Sequence, residues 1–327
     1  MDDPGGKSIA LKCVADEQVG HTLFIRARNL GRQTGIPNLF LKFEGGNPTG
    51  TQKDRIAFVR VQEALRRGCT GATVGTCGNY GAALAYAASL VGLPTYLYVP
   101  EAFSNRRMAE MEGRGGTIVR VPGSYEDAVM RSREDAYRHG WLDANPGDGM
   151  LHLDLEAYGG IAREIVAALG DAPSTVAVPV SNGTTLAGIY HGFRSLHEEG
   201  VTSRVPRMVA GSTWWKNPIV VSFREGHGWC MDLKPQIVQE TQVNEPLVNW
   251  HAFDGDEALE ALRDSHGAAE FASDKEMVRL ARQVRECEGL HALPASCSAL
   301  CALEKLRAEG WLEWGGPHVA VLTGRRQ

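Results

Sequence analysis

The sequence predicts an α/β protein built on mostly parallel sheets, with helices covering both faces of each sheet. Short apolar runs alternate along the chain with longer stretches whose apolar residues recur at helical spacing. Hydrophobic residues make up 43% of the 327 residues and charged residues 22%, so the chain can bury a large core. Several predicted strands lead through loops of Gly and hydroxyl residues into helices, which is typical of parallel sheets that carry ligands at the strand ends.

In the first half of the chain, each element is predicted from its apolar spacing or its cap. Ile56, Val59 and Leu65 recur at about helical spacing, and Ser124 precedes a charged helix as an N-cap residue. The predicted elements, in order, are the strand Leu39–Phe43, the helix Asp54–Arg67, the strand Gly71–Gly75, the helix Ala82–Val91, the strands Thr95–Val99 and Thr117–Val121, and the helices Tyr125–His139 and Tyr158–Leu169.

The second half repeats the alternation and contains one segment that resists assignment. Trp214–Trp250 is rich in Pro, Trp and polar residues, and we predict that it is irregular and lies near a substrate entrance or a subunit contact. The other predicted elements, in order, are the strand Thr175–Val180, the helix Leu186–Glu199, the strand Met208–Gly211, the helices Asp256–Asp264, Lys275–Glu288 and Ser296–Glu309, and the strand His318–Leu322.

The charge balance favours a small-molecule partner. Lys and Arg number 34 against 39 Asp and Glu, a net charge of -5, which gives no footprint for nucleic acid or for an anionic membrane. The start of the chain, Met1–Gly6, is acidic and polar rather than a secretory leader. Apolar stretches are interrupted well short of the roughly 20 residues that a membrane helix needs. We therefore expect no nucleic acid and no membrane as partners.

The cysteines argue against a metal site. Seven Cys without a CxxC pair fit neither a zinc ribbon nor a disulfide framework, so no metal ligand is predicted. Cys297 and Cys301 lie four residues apart on a predicted helix, where reduced core thiols explain them better than metal or redox chemistry. A cytoplasmic location follows as an expectation.

The first segment with potential chemistry is Glu44–Arg55, with the sequence EGGNPTGTQKDR. It follows a predicted strand and opens a predicted helix, which puts Lys53 near a helix N-terminus and close to the Arg55 cation. That placement favours a depressed pKa for the Lys53 amine, and a Schiff-base lysine needs a neutral amine. An ordinary exposed lysine beside a turn fits the same segment.

The second segment is Gly75–Gly81, with the sequence GTCGNYG, between a predicted strand and a predicted helix. Backbone N–H groups in such a loop can bind an anion, and the carboxylate of a substrate would fit there. Simple turn chemistry explains the loop equally well.

The third segment is Val180–Gly188, with the sequence VSNGTTLAG. A strand enters it and a helix leaves it, which is how a phosphate is held at a helix N-terminus. It is not a Walker loop, because GxxxxGK[ST] is absent, and no GxGxxG dinucleotide fingerprint follows the first strand.

The fourth segment is Thr323–Gly324, directly after the last predicted strand. A hydroxyl at the carboxyl end of a strand lies where α/β sheets bind ligands. A plain strand cap is the alternative.

The order and spacing of these four segments resemble the fold type II pyridoxal phosphate family, to which tryptophan synthase β subunit, cysteine synthase, threonine dehydratase and threonine synthase belong. The likeness is greatest to threonine synthase. Leu41–Glu44, Asn47–Gly50 and Lys53–Arg55 resemble the lysine motif of that branch, and Asn182–Gly188 resembles its phosphate loop. The likeness runs from about Leu23 to Gly324.

The resemblance implies pyridoxal 5′-phosphate as cofactor, with Lys53 as its Schiff-base residue and as the proton carrier at the substrate Cα. It implies that Asn79 faces the phenolic oxygen and that Thr323 meets the pyridine nitrogen. A hydroxyl there leaves the nitrogen largely unprotonated, which suits elimination or replacement at Cβ or Cγ more than transamination. The other implied roles are phosphate binding by Ser181, Asn182, Gly183, Thr184 and Thr185, and substrate binding by Thr51, Gln52, Thr76, Cys77, Gly78, Asn79 and Tyr80.

The chain departs from the threonine synthase pattern at three places. Thr51-Gln52 stand where Ser-Phe is usual, Leu293 stands where many members have Glu before Pro-x-Ser, and the tail after Thr-Gly is cut to Arg325–Gln327. These positions can shape the substrate and leaving-group pocket. Candidates to meet a substrate phosphate are Arg55, Arg106 and Arg107, which are equally well explained as surface charges.

We therefore expect a two-lobe protein, with residues 45–155 in a smaller lobe, residues 1–44 and 156–327 in a larger lobe, and the cofactor held between them. The expected function is a threonine synthase-like lyase that eliminates or replaces a β or γ leaving group of a phosphorylated or otherwise activated hydroxy-amino acid, with phosphate as the favoured group. The alternatives are β-replacement or β-elimination on a serine derivative, and a non-catalytic phospholigand-binding protein. A homodimer is expected from the resemblance.

Overall fold

The computed structural model describes residues 4–102 and 107–326, and the chain forms two compact α/β units. Unit 1 comprises residues 4–20 and the described part of 47–157, and unit 2 comprises residues 21–46 and 158–326. Parallel strands with helices on both faces confirm the predicted fold class. Among the described residues, no helix is long and apolar enough to span a membrane.

The strands, in chain order, are β1 Leu23–Arg26, β2 Leu39–Phe43, β3 Ala72–Gly75, β4 Thr95–Pro100, β5 Gly116–Val121, β6 Leu142–Asp143, β7 Thr175–Pro179, β8 Arg207–Thr213, β9 Ala268–Ala272 and β10 His318–Leu322. The helices are α1 Pro4–Gln18, α2 Arg28–Thr34, α3 Lys53–Arg67, α4 Asn79–Ser89, α5 Met108–Gly113, α6 Tyr125–His139, α7 Leu151–Leu169, α8 Thr184–Glu198, α9 Pro218–Arg224, α10 Gly255–Asp264, α11 Asp274–Glu288 and α12 Ser298–Ala308. Short 3₁₀ turns cover Glu44–Gly46, Pro235–Ile237 and Pro294–Cys297.

Unit 1 is built on a parallel sheet with the strand order β5-β4-β3-β6. Helices α3 and α4 pack together, and α6 packs on β3 and β4. The start of α6 is fixed as predicted, because the Ser124 hydroxyl accepts a hydrogen bond from the Asp127 N–H and the Asp127 carboxylate accepts one from the Ser124 N–H. The buried Arg60 of α3 donates to Asp148 and Asp154, which ties α3 to the start of α7.

Unit 2 is built on a sheet with the strand order β1-β2-β10-β7-β8-β9, parallel except for the antiparallel β1. Strands β7, β9 and β10 are buried along their whole length, as expected for a sheet covered on both faces. Helices α7 and α8 approach closely at Gly159 and Gly192, where a Cβ on Gly192 would lie 2.7 Å from the Gly159 Cα. Only glycine allows the two backbones to come so near.

Several elements of the structure were absent from the prediction. Helix α1 packs against α3 within unit 1, although residues 1–44 were expected in the larger lobe. Its segment PGGKSIALKCVADEQ carries few apolar residues, and the buried Leu11 is its main anchor. The other elements not predicted are β1, α2, α5, β6, α9 and β9, all of ten residues or fewer.

The prediction that Trp214–Trp250 is irregular is wrong in one part. Helix α9 lies inside it and begins with Asn217 as N-cap and Pro218 at the first helical position. Asn followed by Pro is a helix-start signal that could have revealed it. The rest of the segment contains only a 3₁₀ turn, Pro235–Ile237, as regular structure.

Candidate functional site

Lys53 is the first residue of α3, and its amine lies against the second predicted segment. Its Nζ is 5.3 Å from the centroid of the Tyr80 ring, so the structure brings residues of the lysine motif and of the Gly75–Gly81 loop together within unit 1. The side chain is half-buried, in contrast to the exposed surface lysine that was the alternative. The N-terminal turn of a helix also places positive partial charge beside the Lys53 backbone.

A second lysine near this segment in the sequence, Lys42, is bound in an ion cluster of unit 2. It is fully buried in unit 2, where its amine donates to the Thr22 carbonyl at 2.8 Å and to the Glu164 carboxylate at 2.6 Å. The Glu44 carboxylate lies 3.5 Å from the same amine. A buried ammonium with paired carboxylates is a structural ion cluster, and this assigns Lys42 a structural role.

The turn before Lys53 is fixed by Asp54. Its carboxylate accepts hydrogen bonds from the Thr49 N–H at 2.9 Å and from the Thr49 hydroxyl at 2.9 Å. Burial raises the pKa of Asp54 to about 6, although the bonds from Thr49 and the charge of Arg107 pull it down. The carboxyl group next to Lys53 in the sequence therefore has a pKa well above the usual range of an aspartate.

Arg107 connects the lysine turn to the Gly75–Gly81 loop. Its guanidinium donates to the Thr49 carbonyl at 2.8 Å, to Asn79 Oδ1 at 3.0 Å and to both carboxylate oxygens of Glu110. Only 7% of Arg107 is exposed. The surface-charge explanation of this residue is therefore wrong, and its donors are engaged by protein acceptors.

Of the other two arginines proposed as phosphate ligands, only Arg55 lies in the described part of the chain. Arg55 is 6% exposed, so it too is not a surface charge. Arg106 lies outside the described residues.

The Gly75–Gly81 loop has the form of an anion site at the start of α4. The Thr76 hydroxyl accepts from the N–H groups of Gly78 and Gly81, each at 3.0 Å, which shapes the loop. Gly78 has a φ of 130°, which favours glycine. Helix α4 begins at Asn79, three residues earlier than predicted, so the N–H groups of Asn79 and Tyr80 lie in its first turn and have no acceptor within the helix.

The remaining predicted residues of this region flank those groups. Cys77 and Gln52 are half-buried and Thr51 is buried. The Thr51 hydroxyl accepts from the Lys53 N–H at 3.3 Å. These contacts make Thr51 part of the turn that carries Lys53.

In unit 2, the loop Ser181–Thr185 leads from β7 to the start of α8. Gly183 is the N-cap with a φ of 97°, and a Cβ there would lie 2.6 Å from the Asp254 carbonyl oxygen. Helix α8 begins at Thr184, so the N–H groups of Thr184 and Thr185 lie in its first turn. First-turn N–H groups and the helix dipole together favour an anion such as phosphate.

The phosphate-type loop is supported by residues that the sequence analysis did not single out. The Asn249 amide donates to Asn182 Oδ1 at 3.3 Å and to the Ser181 carbonyl at 3.4 Å. Asn217 donates to the Ser181 carbonyl at 3.0 Å and to Asn249 Oδ1 at 2.9 Å. Both side chains are at least 98% buried and both belong to the segment Trp214–Trp250, so part of that segment supports the loop.

The hydroxyl of Thr184 in this loop is hydrogen-bonded to a carboxylate. The Thr184 side chain donates to Asp254, which is 1% exposed and precedes α10. The sequence does not identify Asp254 as a partner of this loop, because an acidic residue before a helix is ordinarily an N-cap. Thr184 therefore offers a ligand its backbone N–H rather than its hydroxyl proton.

Thr323 lies directly after β10, as predicted, and has a hydroxyl neighbour. Its Oγ1 is 3.0 Å from Ser296 Oγ, which also accepts from the Gly324 N–H at 3.0 Å. Ser296 is fully buried and Thr323 is 9% exposed. A ligand at the end of β10 would therefore meet a neutral hydroxyl from this pair rather than a charged group.

Each of these groups, within its own unit, fits one part of pyridoxal 5′-phosphate by its chemistry. A half-buried amine beside an aromatic ring suits the aldehyde, and a glycine loop whose N-cap excludes a Cβ suits the phosphate. A neutral hydroxyl suits a pyridine nitrogen, which accepts a hydrogen bond when unprotonated.

Comparisons with known proteins agree with this chemistry. The model of a family described as pyridoxal-phosphate dependent enzyme matches residues 15–324. Threonine synthases from Mycobacterium tuberculosis and Methanocaldococcus jannaschii are 28% and 29% identical to the chain over 310 residues. Each match covers 93% of this chain, and 81% and 74% of the respective relative.

A solved structure shows the same fold. Maize serine racemase superposes with a TM-score of 0.78 at 18% identity, over 98% of this chain and 94% of the racemase chain. The match confirms the fold and, at that identity, carries no information about the reaction.

Proposed function

We propose that this chain, which belongs to the pyridoxal-phosphate dependent enzyme family and whose cofactor is pyridoxal 5′-phosphate, is a lyase of the threonine synthase kind. Its reaction would eliminate or replace a leaving group at Cβ or Cγ of an activated hydroxy-amino acid. The similarity to threonine synthases along 93% of the chain supports this choice within the family.

The observation that carries the proposal is the placement of the Lys53 amine. It stands at the start of α3, half-buried and over the Tyr80 ring, beside the loop that leads into the first turn of α4. When bound, pyridoxal 5′-phosphate withdraws electrons from the Cα of an amino acid attached to it. A base at that atom is then what the protein must supply, and Lys53 is our candidate.

We assign the other residues by the groups they offer. Lys53 holds the cofactor and moves the proton at the substrate Cα. Thr76, Cys77, Gly78, Asn79 and Tyr80 line the site of the substrate carboxylate, with Thr51 and Gln52 beside the leaving group. Asn79 donates to the phenolic oxygen, and Thr323 meets the pyridine nitrogen. The cofactor phosphate is assigned to the loop Ser181, Asn182, Gly183, Thr184 and Thr185.

A specific observation supports the second candidate, which is chemistry at Cβ of a serine derivative. Two of the arginines proposed for a substrate phosphate, Arg55 and Arg107, are buried, and Arg107 is engaged by Glu110, Thr49 and Asn79. A substrate phosphate would have to displace these acceptors. Leu293, where many family members have Glu, also distinguishes the chain from the threonine synthase pattern.

The two candidates are separated by their substrates. If the first candidate holds, we expect the purified protein with cofactor to release phosphate from phosphohomoserine, and to release neither phosphate from phosphoserine nor acetate from O-acetylserine. Turnover of a serine derivative alone would establish the second. A lack of turnover with every activated amino acid would leave the third candidate, a non-catalytic phospholigand-binding protein.

The cofactor assignment has its own test, independent of the substrate. Reduction of the purified protein with borohydride should fix the cofactor covalently, and peptide mapping should find it on Lys53. A label on another lysine would refute the assigned role. Lys42, with its amine bonded to Glu164 and Thr22, is the informative comparison residue.

Assembly and location complete the proposal. By likeness to the family we propose a homodimer in the cytoplasm. Analytical ultracentrifugation would test the first part, because a dimer of 35.5 kDa chains would sediment as a species of about 71 kDa, twice the chain mass. A monomer at micromolar concentration would overturn it.

A further inference from the structure

The side-chain amide of Asn79 has its orientation dictated by Arg107. The guanidinium nitrogen Nη1 of Arg107 lies 3.0 Å from Asn79 Oδ1. A guanidinium has donors only, so the atom facing it must be the amide oxygen and not the amide nitrogen. The Nδ2 group of Asn79 is consequently turned away from Arg107 as a hydrogen-bond donor.

Arg107 is itself held firmly enough to impose this choice. Its Nε and Nη2 donate to the Glu110 carboxylate at 2.8–2.9 Å, and Nη2 also donates to the Thr49 carbonyl at 2.8 Å. Thr49 is bound in turn by the Asp54 carboxylate. With 7% of its surface exposed and its charge matched by Glu110, Arg107 is a fixed part of unit 1.

We propose that Arg107 is a positioning residue that acts through Asn79: it selects the amide orientation in which Nδ2 is presented as a donor to an acceptor oxygen of the cofactor. The proposal rests on the proposed function, which assigns Asn79 to the phenolic oxygen. It goes further by naming the residue that makes the asparagine a donor before any ligand arrives. Preorganisation of this kind avoids an ordering cost at the moment of binding.

A direct role for Arg107 as the ligand of a substrate phosphate fits the contacts less well. Each of the three guanidinium nitrogens already donates to a protein acceptor, and the Glu110 partner is a carboxylate. Breaking that pair would leave a carboxylate 69% buried without its cation.

The test compares Asn79→Ala, Arg107→Met and the double variant in the protein loaded with pyridoxal 5′-phosphate. Both single variants should bind the cofactor about tenfold more weakly, the effect of about one hydrogen bond, and should shift its visible absorption spectrum in the same way. The double variant should be no weaker than Asn79→Ala and should have the same spectrum. Losses that simply add in the double variant would overturn the proposal.

Two controls keep the test decisive. Arg107 directly precedes α5, and Arg114→Met removes an exposed arginine that directly follows the same helix, so this variant should leave affinity and spectrum unchanged. If Arg107→Met does not fold, Arg107→Lys keeps the positive charge near Glu110 but cannot reach three acceptors with one nitrogen. It should then show the spectrum of Asn79→Ala, and a spectrum like that of the unaltered protein would refute the proposal.

Failure of the inference and failure of the proposed function give different results. If the unaltered protein shows no cofactor spectrum and no borohydride label on Lys53, the proposed function fails. If the unaltered protein binds the cofactor through Lys53 and the variant losses are additive, only the role of Arg107 fails.

Discussion

The two units fix their candidate ligand groups by different means. In unit 1, the turn of Lys53 and the side chain of Asn79 are held by ionised or ionisable groups, namely Asp54, Arg107 and Glu110. In unit 2, the loop Ser181–Thr185 is held by the amides of Asn217 and Asn249 and by one carboxylate, Asp254. The end of β10 carries a pair of hydroxyls.

The difference matches what each group must do. A residue that carries a proton benefits from neighbouring charges, because they set its pKa and respond to pH. A loop that holds a phosphate needs donors in fixed positions, and backbone N–H groups supported mainly by neutral amides supply them. Substitutions at Lys53 and Asp54 should therefore alter proton chemistry and pH dependence, and substitutions in the loop of unit 2 should alter retention of the cofactor.

The largest effect should come from Lys53→Ala, which removes the proposed proton carrier and leaves the support around it in place. Loss of a general base typically costs 10² to 10⁴ in rate, and loss of the covalent attachment adds to it, so we expect turnover to fall by about 10³-fold or more. Steady-state kinetics on the active substrate measure it. Lys12→Ala, at an exposed position of α1, is the control and should retain full activity.

A large effect on cofactor retention should come from Gly183→Ala. The new Cβ would lie 2.6 Å from the Asp254 carbonyl oxygen, at a φ of 97° that alanine rarely adopts, so the loop must move. We expect cofactor affinity to fall about 100-fold by absorbance titration. Gly200→Ala is matched, since its φ is 73° with no atom within 4 Å of a new Cβ, and it should reduce stability without affecting affinity. Equal losses in both variants would contradict the role of the loop.

A smaller loss should follow from Asn249→Ala, which tests whether the neutral support matters. It removes the amide that donates to Asn182 and to the Ser181 carbonyl, while the loop sequence stays the same. We expect about tenfold weaker cofactor binding and an unchanged borohydride label on Lys53. Asn244→Ala alters an equally buried asparagine of the same segment that binds Thr241, and it should leave affinity unchanged.

The smallest effect is a pH dependence of stability that Asp54 should confer on unit 1. Its pKa is raised from 3.8 to about 6 by burial, so the folded state prefers the protonated form, and stability from this group is lost as pH rises through the folded pKa. Relative to Asp54→Asn, the unaltered protein should lose about 1 kcal/mol between about pH 5.5 and about pH 7.5. Urea unfolding at both pH values measures the difference, and parallel pH profiles would refute it.

Elements with strong local signals were predicted closely. Strands β2 and β10 and helix α6 have the predicted bounds, because apolar runs and a capping serine define them without help from tertiary structure. Strand β9, with the sequence AAEFA, was not predicted, since alanine favours helices and only pairing with β8 makes the segment a strand.

The residues of the candidate site also divide into those with a local sequence signal and those that depend on distant contacts. Lys53 and the glycine loops were predicted because each lies in one continuous motif between a strand and a helix. The roles of Asn249 and Arg107 depend on contacts with residues 67 and 28 positions away, respectively, which a single sequence does not reveal. Buried polar residues in irregular segments are where such supports should be sought in related chains.

The close approach of Gly159 and Gly192 has a consequence for reading variation in this chain. Gly192 lies eight residues along α8 from Thr184, about 12 Å from the anion end of the helix. Any side chain at Gly192 would push α8 away from α7 and would displace the N-terminus of α8 as well. In a mutational scan, substitutions of Gly192 should therefore weaken cofactor binding as substitutions of the phosphate loop do. A second substitution at Gly159 cannot restore the packing, because glycine has no side chain that could be made smaller.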